Sequence, residues 1–135
     1  MKNIILSIIS FILISVQLNA QTDYEKGVDY YDNGEFQKAI PLFLSHLKTI
    51  DENDIESIID VEEYIVDSYN ELDSVNLASN WAYKLLEKDS LNRFALIILL
   101  RSSFENNNFS MVRKYTSHLI DDLNEENTKY RYLRG

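Results

Sequence analysis

The chain has 135 residues, 45% of them hydrophobic, 26% charged and 12% aromatic, with 13 Lys+Arg against 22 Asp+Glu and no cysteine. That length allows one domain, and the missing cysteines exclude a disulfide framework, a thiolate metal site and a cysteine nucleophile, while two histidines leave little for an imidazole metal centre. The formal charge of -9 has the wrong sign for gripping a phosphate backbone, so nucleic acid is excluded as a general partner, and three Gly with one Pro are too few to turn a sandwich or barrel of short strands. An all-α fold remains.

Lys2 is followed by an apolar run from Ile4 to Val16, broken only by Ser7, Ser10 and Ser15, and then by Gln17, Leu18, Asn19, Ala20 and Gln21. A charged start, a short apolar stretch and a small residue at a polar boundary have the layout of a secretory signal peptide over residues 1–20, cleaved after Ala20. The run is shorter than the roughly 20 apolar residues of a membrane-spanning helix, so no stable span is expected after cleavage, with an uncleaved signal anchor as the alternative. The expected protein is exported, periplasmic or secreted, and without a cysteine at its mature N-terminus it carries no bacterial lipid anchor. It must hold together by packing alone.

The remaining residues, 21–135, divide sharply in charge. Residues 21–73 set 15 acids against Lys26, Lys38 and Lys48, a net of -12, whereas residues 74–135 set 7 acids against 9 bases, a net of +2. In chain order, Thr22 with Glu25 three places on forms a capping box that opens a first helix over 22–33. Gly34 supplies a tight turn into a helix over 36–50, inside which Pro41 should bend the axis. A polar run, Asp51-Glu52-Asn53-Asp54, makes a solvated loop; it lacks the turn glycine of a calcium loop, and Ile55 falls at a ligand place. Ile58, Ile59, Val61, Ile65, Val66 and Tyr69 repeat at helical spacing and place a helix over 55–71; Asp73-Ser74 turns into the next over 74–88, carrying Leu77, Trp81, Leu85 and Leu86. Two more helices follow over 92–106 and 110–124, joined by the polar turn Asn106-Asn107-Asn108, the second with Met111, Val112, Tyr115, Leu119, Ile120 and Leu123 in phase.

These helices repeat in pairs. Gly27-Val28-Asp29-Tyr30, Gly34-Glu35-Phe36 and Ala39-Ile40-Pro41-Leu42-Phe43 return in weaker form as Tyr69, Val75 and Ala78 after 39 residues, and as Ser103, Phe109 and Val112 after a further 34. The first unit resembles the tetratricopeptide repeat, in which two residues separate Gly from Tyr and three separate Ala from Phe. Gly27 and Ala39 are small where two helices must approach, and Tyr30 and Phe43 fill the space between them. The resemblance covers repeats at about 22–52, 58–91 and 92–126 and implies a right-handed α-solenoid of three helix hairpins with a short C-terminal stub. In the stub, Tyr130 and Leu133 match the opening apolar pair of a fourth repeat. Departures from the pattern are Asp23 and Lys26 at large apolar places, His46 for a small residue, and Glu62 at an aromatic place in the second unit.

In such arrays the first helix of each hairpin lines a concave groove. The resemblance therefore places Tyr24, Val28, Tyr31 and Asp32 in the groove from the first unit, Asp60, Glu63, Asp67 and Asn70 from the second, and Phe94, Ile97, Arg101 and Phe104 from the third. The basic carboxylate clamp of chaperone-binding members is absent, because Tyr24, Val28 and acids hold those places. An acidic middle between aromatic and apolar ends suits a protein or peptide segment with basic and apolar side chains. The competing reading packs Tyr24 and Tyr31 between helices and leaves the acids to solvation.

No HExxH, phosphate-binding Gly-rich loop or GxSxG elbow occurs, and His46 and His118 fall on separate hairpins. No catalytic residue, metal ligand or cofactor is assigned. The expected function is a non-catalytic exported interaction module, an adaptor or assembly factor, with self-association open to it through the C-terminal hairpin. The alternative is an extracytoplasmic sensory or structural fragment of a larger repeat-containing signalling protein.

Overall fold

The structure, a computed structural model, describes residues 21–122. The expected signal peptide and the stub with Tyr130 and Leu133 lie outside the described residues. Within them the chain is all-helical: α1 (Asp23–Asp32), α2 (Phe36–Leu47), α3 (Ile55–Glu71), α4 (Val75–Lys88), α5 (Arg93–Glu105) and α6 (Phe109–Ser117), which continues into a π-helical segment, His118–Asp122. Each helix packs on the next in sequence, and α3 also touches α5. None of these helices is long and apolar enough to cross a membrane.

Local chemistry sets the helix starts. The Thr22 hydroxyl accepts from the Glu25 N–H at 3.2 Å while the Thr22 N–H donates to the Glu25 carboxylate at 2.8 Å, a closed capping box that holds that carboxyl below its usual range. Asp54, Asn92 and Asn108 accept in the same way from the N–H groups of Ser57, Ala95 and Met111. The second helix stops three residues short of the expected end, because the Thr49 hydroxyl and N–H both turn back onto the His46 carbonyl at 2.7 and 2.8 Å. It runs through Pro41, which sits on the exposed side.

One turn joins the helices of every pair. Gly34, Asp73 and Asn107 take left-handed backbone angles, with φ of 73°, 53° and 55°. In each turn the N–H of that residue donates to the carbonyl three places back, and the next N–H donates to the carbonyl five places back: Glu35 to Tyr30 at 2.8 Å, Ser74 to Tyr69 at 2.9 Å and Asn108 to Ser103 at 2.8 Å. This is a Schellman closure, which satisfies the carbonyls left over at a helix C-terminus. The three turns stand 39 and 34 residues apart, the intervals at which the sequence pattern itself recurs. Glycine is used once; Asp and Asn fill the other two places because their short polar side chains tolerate the left-handed region better than most.

Two clusters of buried side chains fill the space between helices. Ala39, Phe43, Val61 and Ile65 form the first, with the rings of Tyr24, Tyr30, Tyr31 and Tyr64 packed around them. The second gathers Val66, Ala78, Ala82 and Leu85 with the apolar face of α5 and with Val112, Tyr115 and Leu119. Tyr69 and Trp81 touch both clusters and join them. At Gly27 the approach of α1 to α2 is so close that a Cβ would lie 2.8 Å from a ring carbon of Phe43.

Glu62 is buried, and its burial is compensated. Lys88, in the last turn of α4, donates to both carboxylate oxygens at 3.0 and 3.1 Å. A buried acid is thus held by a cation 26 residues away.

Candidate functional site

The residues 60, 63, 67 and 70 of α3 form one stripe, because steps of three and four residues return to the same side of a helix. Helices α1 and α5 flank that stripe and hydrogen-bond to it side chain by side chain. From α1, the Tyr24 hydroxyl donates to Asp60 at 2.6 Å, and the Tyr31 hydroxyl donates to Asp67. From the α5 side, the Asn92 amide donates to Glu63 at 2.7 Å, and Arg101 donates to Asn70 at 2.8 Å. Arg101 also holds Asp73 at 3.0 Å and Glu105 at 2.8 Å, which ties the ends of α3 and α5 together.

Seven residues separate Tyr24 from Tyr31 and Asp60 from Asp67, two helical turns in each case, so the two tyrosine–carboxylate bonds are rungs of one ladder. The hydrogen bond to Asp60, followed by burial, raises the Tyr24 phenol above its ordinary range; burial followed by the bond to Asp67 does the same for Tyr31. Both hydroxyls therefore stay protonated and remain donors across the physiological range.

Between the helices lies an open cleft of about 230 Å³ lined by Tyr31, Asp60, Glu63, Tyr64, Asp67 and Phe94. Its aromatic wall is backed by the core: Tyr64 stacks on buried Phe43 with ring centres 4.9 Å apart and planes 15° from parallel, and Tyr31 meets Tyr64 edge-on at 4.9 Å. A second hollow, of about 410 Å³, shares Asp60 and is bounded by Tyr24, His46 and Glu56. The His46 ring lies 5.2 Å from that of Tyr24, which gives it a packing role.

The sequence-derived groove residues fall into three groups. Tyr31, Glu63, Asp67 and Phe94, with Asp60, meet around the cleft, and Tyr24 joins them through Asp60. Asn70 and Arg101 pair with each other farther along the same face. Val28 and Ile97 pack against the two cores, Asp32 is exposed at the end of α1 outside the cleft lining, and Phe104 stands 54% exposed near the last turn. The rings of Tyr24 and Tyr31 pack between helices while their hydroxyls hold Asp60 and Asp67.

Two contributors were missed. Tyr64 sits four residues after Asp60 and three before Asp67, so the stripe spacing alone places it there; Asn92 opens the helix range 92–106 in sequence, and nothing there marks its amide as a partner for Glu63. No protein-family model matches the chain, and no curated protein matches it in sequence.

Proposed function

We propose that the chain is a non-catalytic interaction module that holds an extended or helical segment of another protein against the inner faces of α1, α3 and α5. The observation that carries this is the aromatic-walled cleft on that face, where three carboxylates are aimed by neutral donors from both flanking helices. Carboxylates fixed in this way present their remaining lone pairs to a ligand, which favours a partner with basic side chains and apolar anchors. Such a surface is what an array of helix hairpins offers: the recurring turn supports a right-handed α-solenoid of the tetratricopeptide kind, with α1, α3 and α5 on its concave side. The leader-like residues 1–20 support export, so the partner would be met outside the cytoplasm, by an adaptor or assembly factor.

A randomised peptide library selected on the immobilised chain tests this. Basic residues interspersed with aromatic or aliphatic ones should be enriched, and the enrichment should vanish for the Glu63→Lys, Asp67→Lys double variant whose helical circular dichroism is unchanged. Enrichment of acidic peptides, or equal capture by the double variant, contradicts it.

A further inference from the structure

The cleft has a shape and a chemistry narrower than a general liking for cations. Its volume of about 230 Å³ falls below the roughly 300–1,000 Å³ of pockets that engulf a whole small molecule, so it suits one long side chain of a larger ligand. Its walls are rings from three different helices, Tyr31, Tyr64 and Phe94. Asp60, Glu63 and Asp67 stand among those rings one helical turn apart, a Cβ spacing of about 5–6 Å. Each already accepts one hydrogen bond from a neutral group, the Tyr24 hydroxyl, the Asn92 amide or the Tyr31 hydroxyl, so its position is fixed and its charge is not cancelled. The salt bridges of Glu35, Glu62, Asp73 and Glu105 lie outside the cleft lining.

We infer that the cleft is an arginine pocket, in which one arginine of the bound segment lays its guanidinium against the aromatic wall and bridges neighbouring carboxylates of α3. This rests on the proposal that the face binds a peptide, and it names the side chain that the cleft selects. Arginine suits it better than lysine for two reasons. A planar guanidinium stacks on aromatic rings, and its five donors can reach two carboxylates a turn apart, whereas an ammonium is a compact, strongly hydrated point charge.

The test is a titration of the full chain, followed by fluorescence anisotropy, with three labelled synthetic peptides that alternate leucine with arginine, with lysine or with citrulline. Citrulline keeps the shape of arginine and removes its charge. The arginine peptide should bind about tenfold more tightly than the lysine peptide, and the citrulline peptide more weakly than either. Glu63→Gln, which still accepts from Asn92, should bring the arginine-to-lysine ratio close to one with an unchanged circular dichroism spectrum. Glu52→Gln, which removes an exposed acid in the loop before α3, should leave the ratio intact.

Equal binding of the arginine and lysine peptides overturns the arginine pocket and leaves a cation-selective groove standing. So does an equal effect of Glu52→Gln and Glu63→Gln, which would mark the attraction as long-range charge alone. Failure of all three peptides to bind overturns the pocket and the peptide-binding groove together.

Discussion

Phe43→Ala is expected to lower the unfolding free energy by about 3–5 kcal/mol, the range for deleting a fully buried aromatic ring. The ring is completely buried, stacks on Tyr64, meets Tyr24 at 6.2 Å and fills the space that a side chain at position 27 would need. Against a typical domain stability of about 5–15 kcal/mol this is a large fraction. For a domain of this size the melting temperature should fall by on the order of 15–30 °C. The loss would also reach the cleft, because Tyr64 would lose the ring that backs it. Gly27→Ala presses on the same ring from the α1 side: the overpacking cost of about 1–3 kcal/mol should outweigh the gain of about 0.5–1 kcal/mol from replacing glycine in a helix. Urea denaturation of both variants checks these expectations; a Phe43→Ala loss below 1 kcal/mol would contradict the packing described here.

Lys88→Met should cost nearly as much, about 2–4 kcal/mol, for a different reason. The Glu62 side chain is 5% exposed and the Lys88 side chain 23%, so removing the lysine leaves a carboxylate in a largely dry site with no counter-charge. Breaking a buried pair from one side costs about 3–5 kcal/mol, and the partial exposure of Lys88 trims that figure. The double variant Glu62→Leu, Lys88→Met should recover to within about 1–2 kcal/mol of the parent, since apolar replacements of buried pairs are often neutral. A thermodynamic cycle over the two singles and the double should therefore give a coupling of 1 kcal/mol or more between positions 62 and 88. Additive losses would mean that the two side chains do not depend on each other.

The contrast between these sites shows which parts of the fold could be read from sequence. Helices were legible because apolar residues such as Val61, Ile65 and Val66 recur at helical spacing and because Thr22 with Glu25 announces the first start, whereas the caps at Asp54, Asn92 and Asn108 emerge from the structure. The paired turns were legible as polar runs, although only the backbone reveals that Asp73 and Asn107 do the conformational work of Gly34. The stripe of Asp60, Glu63, Asp67 and Asn70 was placed by the resemblance to a repeat family, and steps of three and four residues keep it on one side of α3. Its partners were not legible: Tyr24 lies 36 residues from Asp60, and Asn92 lies 29 from Glu63, and no local pattern links such pairs. Lys88 was illegible for the same reason. A buried acid in sequence looks like a defect until the fold brings a cation to it.

Whether α1, α3 and α5 present the binding face is tested most directly by nuclear magnetic resonance of the isotope-labelled chain titrated with the arginine–leucine peptide. The amide shifts should move along one face, at Tyr24, Tyr31, Asp60, Glu63, Asp67 and Phe94, while α2, α4 and α6 stay still. Shifts confined to α2, α4 and α6, or to the exposed rings of Phe104 and Phe109, would contradict it.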